Sequence, residues 1–278
     1  MTGRRKSLEK GRPLPFRKNQ GSININEQPG GTPPGLSLSP CSKGGLILTI
    51  RGLVPTSLVD YPGEMCTTLF FGGCNLRCPW CHNRELVEEP WALPEIKEEE
   101  VYPFLAERQN WIQAVCLTGG EPTLAPGLFD FISNLKKMGF KVKLDTNGTR
   151  PRVLSQLLEA RLVDYVAMDI KGPPPKYPRA AGAPVEMAAI EASIKLLKQG
   201  TSAYEFRTTV IPGLLTEGDL LAMGKWLAGA ACYVLQRFVP RENIIAEEYR
   251  HLPPGDPQFL RQMAARLEKY FARVEVRD

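Results

Sequence analysis

Cys74, Cys78 and Cys81 fall within eight residues at the spacing C-x-x-x-C-x-x-C, directly after the apolar, β-branched and aromatic run Thr67 to Phe71. A buried strand that delivers the chain into such a loop lets three thiolates converge from one short segment. Three is the informative number. A structural zinc site uses four ligands in a closed tetrahedron, usually as two C-x-x-C halves, and no second pair with that spacing exists in the chain. Cys66 or His82 would have to supply the fourth ligand, which leaves a zinc-binding, non-enzymatic module as one reading. An iron–sulfur cube held by three cysteines leaves one iron open to a ligand that is not protein, and this is the second reading. A disulfide fits less well, because no signal peptide or cysteine framework points to an oxidising compartment.

The loop resembles the radical S-adenosylmethionine (radical SAM) superfamily, whose hallmark is C-x-x-x-C-x-aromatic-C, with Trp80 at the aromatic position. The continuation Cys81-His82-Asn83 and the upstream run Gly52-Leu53-Val54-Pro55-Thr56-Ser57-Leu58-Val59-Asp60-Tyr61-Pro62-Gly63 are similar to the activating enzymes of glycyl-radical enzymes. Within these, the group that activates anaerobic ribonucleoside-triphosphate reductase is the nearest match. The resemblance runs from about residue 46 to residue 278 and is densest between Gly52 and Asn83. It implies a [4Fe–4S] cluster on Cys74, Cys78 and Cys81, S-adenosyl-L-methionine as the second cofactor, a low-potential electron donor, and a glycyl-radical enzyme as partner. Another glycyl-radical enzyme of the pyruvate formate-lyase type, a peptide or a small molecule are the alternative radical acceptors.

The chain carries a formal net charge of +5, which raises the question of nucleic acid. Residues 1 to 45 hold eight Lys/Arg against two acidic residues, whereas the remainder holds 27 against 28, so no basic footprint belongs to the body of the protein. The same 45 residues contain 14 Gly or Pro and nine apolar residues, too few to offset the entropy of ordering them. They are expected to form a disordered basic leader, with Cys41 given no role, ahead of a single domain spanning 46 to 278. No apolar run is long enough to span a membrane or serve as a signal peptide, so the expected location is cytoplasmic.

From Leu46 the pattern becomes globular. Leu46 to Arg51 reads as a short strand and Gly52 to Gly63 as an extended crossing segment. Strands are then expected at Thr67 to Phe71, Ala114 to Thr118, Val142 to Asp145, Tyr165 to Ile170, Tyr204 to Val210 and Ala231 to Val239, each followed by a helical pattern. Met187, Ile190, Ile194 and Leu197 recur at helical spacing ahead of Gly200, and Asp256-Pro257 opens a last helix. Arg273 to Val276 is a candidate edge strand. Six alternations predict an α/β fold, a partial (β/α)6 barrel with parallel strands open on one side, with a doubly wound sheet as the alternative. In both, the loops after the strand C-termini build the site.

Every special motif sits at such an end. Gly119-Gly120-Glu121-Pro122 leaves the backbone bare at two positions; it is either a tight turn or, as the resemblance implies, the contact for the amino group of the cofactor, with Glu121 as a countercharge. Asp145-Thr146-Asn147-Gly148 offers a carboxylate, a hydroxyl and an amide, for turn chemistry or for a ribose diol. The resemblance adds a possible monovalent cation at Asp145, Thr146 and Asp169. Asp169-Ile170-Lys171 places an acid and a base on one face of a strand end. Arg207 lies on an otherwise apolar strand and needs an anion there, the cofactor carboxylate, Glu205 or Asp169. The resemblance implies Trp80, Gly119, Gly120, Glu121, Asp145, Asn147 and Arg207 as the cofactor contacts. With two histidines, no G-x-S-x-G and no P-loop, no catalytic residue is expected beyond the cluster and cofactor. Trp91, Trp111 and Trp226 read as core or groove lining.

Overall fold

The computed structural model describes residues 49–278; the expected leader, Cys41 and the start of the strand expected from Leu46 lie outside the described residues. In chain order the elements are β1 (Ile50–Ser57), β2 (Cys66–Phe71), α1 (Arg84–Glu88), α2 (Glu98–Ala106), β3 (Ala114–Gly119), α3 (Leu128–Lys137), β4 (Lys141–Thr146), α4 (Pro151–Glu159), β5 (Tyr165–Asp169), α5 (Tyr177–Ala181), α6 (Met187–Gln199), β6 (Ala203–Val210), α7 (Glu217–Trp226), β7 (Cys232–Arg237), α8 (Glu247–Arg250), α9 (Pro257–Leu267) and β8 (Arg273–Arg277).

The strands form one sheet in sequence order, with β1 antiparallel to β2 and β2 through β8 parallel. A doubly wound sheet reverses its strand order at a switch point, and no reversal occurs here. When every crossover is right-handed and advances the same way, all the helices fall on one face and the other face becomes a lumen. The order runs from β1 to β8 without joining them, so the result is the partial barrel, open on one side.

Two boundaries differ from expectation. β1 runs on to Ser57 and absorbs half of the segment expected to cross the sheet; it tolerates Pro55 because it is an edge strand with irregular register between Val54 and Ser57. β8 is a full parallel strand, so the parallel count is seven rather than six.

Alternation along each strand separates two environments. Leu69, Phe71, Val115, Leu117, Val142, Leu144, Val166, Met168, Phe206 and Leu235 are buried in one core with the apolar stripes of the helices, among them Phe131 and Leu135 of α3, Leu154 and Leu157 of α4, and Ile190 and Ile194 of α6. Each such side chain contributes on the order of 1.5–3 kcal/mol by leaving water. The alternate residues face the lumen, where Tyr61, Cys66, Ala114, Cys116, Tyr165 and Ala167 make a separate small cluster. The helix ends follow their local chemistry: Thr216 and Asp219 form a capping box at α7, and the Asp256 carboxylate accepts the Gln258 N–H ahead of Pro257 at α9.

Trp91 and Trp111 are 74% and 73% exposed, not core, while Trp226 packs edge-on against Tyr177. Among the described residues no helix is long and apolar enough to cross a membrane.

Candidate functional site

The cysteine loop leaves the C-terminal end of β2 and is gripped from three sides. On the first, Gly120 packs so closely that an added Cβ would lie 1.9 Å from the Gly73 carbonyl oxygen, and the Glu121 N–H donates to that same oxygen at 2.8 Å. On the second, the Arg77 N–H donates to the Ala181 carbonyl at 2.9 Å, and Gly182, at φ +62°, sits directly against the Arg77 carbonyl. On the third, the stretch after β7 reaches back: the Ala246 N–H donates to the Pro79 carbonyl at 2.9 Å, the Ile245 N–H to the Cys81 carbonyl at 3.3 Å, and Tyr249 lies against the Trp80 ring. Glycine is needed at 120 and 182 because any larger residue would push the backbone of the loop.

Cys74, Cys78 and Cys81 line one cavity, with about 670 Å³ of empty space counting the part open to solvent. Trp80, Gly119, Gly120, Glu121, Asp145, Thr146, Asn147, Asp169, Lys171 and Arg207 line the same cavity, so the structure brings the three cysteines together with the residues expected around the cofactor. Burial pushes the Cys74 and Cys78 thiols up to about 11 and raises Cys81 as well, while the nearby Lys171 ammonium opposes the shift in each. A metal centre loaded here therefore displaces protons from these thiols.

Neither candidate for a fourth zinc ligand reaches the cavity. Cys66 begins β2, at the opposite end of the strand, and is buried beside Thr68 and Cys116. His82 turns its Nε2 to the Val239 carbonyl at 3.1 Å. The three sulfurs also do not close to within 4.8 Å of one another, the spacing at which a single ion collects its ligands. Three soft thiols spread around a roomy cavity fit a polynuclear iron–sulfur group better than one zinc ion. Among the described residues the grouping that does close to that distance is Glu205, Cys232 and Glu275, but the Arg277 guanidinium already holds Glu205 through two bonds of 2.7 and 2.6 Å and also pairs with Glu275.

Below the cysteines the lumen carries alternating charges. The Lys143 ammonium, with 2% of its side chain exposed, pairs with Asp145. Arg207 spans two carboxylates, its NH1 3.1 Å from Asp145 Oδ2 and its Nε 2.9 Å from Asp169 Oδ1; Lys171 Nζ then meets Asp169 Oδ2 at 3.1 Å. Burial alone would raise both carboxyls, yet Arg207 with Lys171 holds Asp169 down to about 2, and Arg207 with Lys143 lowers Asp145. Lys171 and Arg207 are the two cations that line the cavity, and a carboxylate-bearing ligand entering it would meet them. Arg207 thus meets Asp145 and Asp169; Glu205 is taken by Arg277.

Three expected roles take a different shape. The Thr146 hydroxyl donates to Glu121 Oε1 at 2.8 Å, and Arg207 bonds both Asp145 and Asp169. The Glu121 carboxylate, 1% exposed, accepts the Thr123 N–H and hydroxyl and the Thr146 hydroxyl on Oε1 and the Asn147 N–H on Oε2 at 2.6 Å. It is a strut between the loops after β3 and β4, and burial raises its pKa. The Asn147 amide donates to Cys74 Sγ at 3.8 Å and to Asn75.

Sequence reasoning passed over Lys143 and Asn83, whose Nδ2 donates to the Gly119 carbonyl at 3.0 Å. The signal for Lys143 is the alternation Lys141-Val142-Lys143-Leu144-Asp145 on a parallel strand: both faces of such strands are covered, so the polar face must line something.

Comparison with known proteins gives a consistent result. The family model described as the Radical SAM superfamily matches residues 68–226. A protein of Methanocaldococcus jannaschii, named as a glycyl-radical enzyme activating enzyme, is 32% identical over 237 residues, covering 82% of this chain and 95% of its own. The pyruvate formate-lyase-activating enzyme of Clostridium pasteurianum is 32% identical over 130 residues, 44% of this chain and 52% of that one. Among solved structures, Streptococcus suis SuiB bound to S-adenosylmethionine superposes with a TM-score of 0.58 at 12% identity, over 75% of this chain and 51% of that one, which bears on the fold alone.

Proposed function

The chain belongs to the radical SAM superfamily, and on that premise we propose that it is an activating enzyme that installs a glycyl radical on a partner, an anaerobic ribonucleoside-triphosphate reductase. The observation that carries the reading is the presence of three thiols, with no fourth cysteine or histidine among the described residues, in one cavity with the strand ends Gly119–Glu121, Asp145–Asn147, Asp169 and Arg207. The cofactors of the superfamily are a [4Fe–4S] cluster and S-adenosyl-L-methionine. Together they supply one-electron cleavage of the sulfonium bond to the ribose 5′ carbon, releasing methionine and transferring a substrate hydrogen atom to that carbon.

The chain's own residues hold and orient. Cys74, Cys78 and Cys81 would ligate three irons and leave the fourth for the amino and carboxylate groups of the cofactor. Lys171 and Arg207, the cations that line the cavity, are placed to meet that carboxylate. The main chain at Gly119 and Gly120, freed of side chains, faces the ammonium, and Glu121 keeps this loop in place rather than meeting the ligand itself. Trp80, 6% exposed and backed by Tyr249, closes the nucleotide side against water. Asp145 and Asp169 stay ionised and keep Arg207 aimed.

The choice of the reductase rests on the resemblance of the run Gly52 to Gly63 and of Cys81-His82-Asn83 alone; that the partner is a glycyl-radical enzyme is supported by the names of the relatives from M. jannaschii and C. pasteurianum. The latter name favours a second reading, activation of a pyruvate formate-lyase. We place the catalytic domain at residues 46 to 278, in the cytoplasm, supplied by a low-potential electron donor.

The test is electron paramagnetic resonance after anaerobic incubation of the reconstituted protein with reductant, S-adenosylmethionine and either candidate partner. A glycyl-radical signal with the reductase is expected. A signal with pyruvate formate-lyase and none with the reductase would transfer the assignment to the second reading; cofactor cleavage without a glycyl radical on either would remove the activating role.

A further inference from the structure

The turn that carries Asn147 suggests a ribose contact for its side chain, but the amide has nothing to spare. Its Nδ2 donates to Cys74 Sγ at 3.8 Å and to Asn75 Oδ1 at 2.9 Å. Its Oδ1 accepts the Thr149 N–H at 3.0 Å and the Thr149 hydroxyl at 2.6 Å. Asn75 closes the ring by donating to the Thr149 hydroxyl at 2.8 Å, and the main-chain N–H of Asn147 is fixed by Glu121. A primary amide has two N–H groups and one carbonyl with two lone pairs, and here all four are used. The residue is 6% exposed, so a ligand would have to break one of these bonds to bind it. The Cys74 sulfur, in turn, receives two donors, the Leu76 N–H at 3.4 Å and the Asn147 amide.

We infer that Asn147 is a positioning residue for the Cys74 sulfur that raises the reduction potential of the cluster, an inference that rests on reading the site as a three-cysteine [4Fe–4S] centre. A donor aimed at a ligating sulfur stabilises the more negative, reduced state more than the oxidised one. The Asn75–Thr149 ring makes the donor rigid, and a rigid donor outside the metal's own ligands sets both the orientation and the electronics of the ligand it touches. The bond is long, so the expected effect is modest: loss of the donor lowers the ratio of reduced to oxidised cluster at a fixed applied potential about tenfold, equivalent to ~59 mV for one electron.

The experiment compares anaerobically reconstituted wild-type protein with Asn147→Leu, without S-adenosylmethionine, by iron and sulfide content and by redox titration read through the resonance of the reduced cluster. Equal iron content and a downward shift of about the size given are expected. A merely structural residue would change iron content or thermal stability without moving the potential of the loaded fraction, and an unchanged potential at full iron content overturns the inference. So does weaker binding of S-adenosylmethionine at an unchanged potential, measured separately on the same two proteins, the signature of a ribose contact. If Asn147→Leu takes up no iron, Asn147→Ala decides, because it removes the donor with less bulk and no added charge; a potential no lower than wild type again overturns it. Wild-type protein that binds no iron would sink the reading of the site and the inference with it.

Discussion

Gly120→Ala adds one methyl group at the point where the loop after β3 crosses the cysteine loop. An ideal Cβ at Gly120 falls 1.9 Å from the Gly73 oxygen and 2.6 Å from the Gly73 carbon. Ordinary close carbon–oxygen contacts begin at about 3.3 Å, so the two loops must separate by more than an ångström. Both obstacles are main-chain atoms, and no rotamer change relieves them. Gly120 is not in the left-handed region, so alanine itself is conformationally acceptable there and the penalty is steric. Separation breaks the Glu121 N–H bond to Gly73, worth about 1 kcal/mol, and overpacking adds about 1–3 kcal/mol. The total, about 2–4 kcal/mol, is a large part of the ~5–15 kcal/mol that stabilises a typical domain. Urea unfolding of the two proteins should show the midpoint falling with the slope unchanged, and the variant should bind less iron because Cys74 moves with Gly73. Gly73→Ala is the control: it meets no atom within 4 Å and suffers only from its φ of +87°, at about 1–2 kcal/mol. If Gly120→Ala lies within about 0.5 kcal/mol of wild type, as an innocuous surface change does, the claim that the cysteine loop is held by backbone contact is wrong.

Other outcomes follow from the same contacts. Arg207→Met leaves Asp145 and Asp169 with only their lysines and should cost about 3 kcal/mol, measured by denaturation; Arg207→Lys should not restore it, since an ammonium cannot span two carboxylates. Asp169, held at about 2 against a usual 3.8, contributes about 2 kcal/mol above pH 3.8 that disappears as pH falls toward 2; Asp169→Asn should flatten this acid limb of the stability profile. Cys78→Ala should abolish iron uptake while Cys66→Ser retains it, and iron loss in both would put Cys66 back among the ligands.

How much of this was visible in the residues depends on distance along the chain. The cysteine triad, the positions of the strand ends and the apolar stripe of α6 are local, and local spacing is what metal ligation and helix packing require. The barrel follows from alternation plus the handedness of crossovers, which fixes topology without naming contacts. Partnerships across the lumen are not local. Arg207 reads as an arginine in need of an anion, but only the register of β4, β5 and β6 selects Asp145 and Asp169 over its neighbour Glu205. Glu121 shows a charge that the motif invites one to give to a ligand, and only the folded loops reveal that Thr123, Thr146 and Asn147 consume it. Trp91 and Trp111 mislead in the opposite direction: size favours burial, yet both lie outside the apolar stripes that the helices bury.

The central claim is that three cysteines hold a cluster with one iron left for the cofactor. Counting metal and sulfide after anaerobic reconstitution, and assaying 5′-deoxyadenosine after reduction with S-adenosylmethionine present, tests it most directly. The account predicts four irons and four sulfides per chain and formation of 5′-deoxyadenosine. A single bound zinc, with no sulfide and no cleavage, would contradict it.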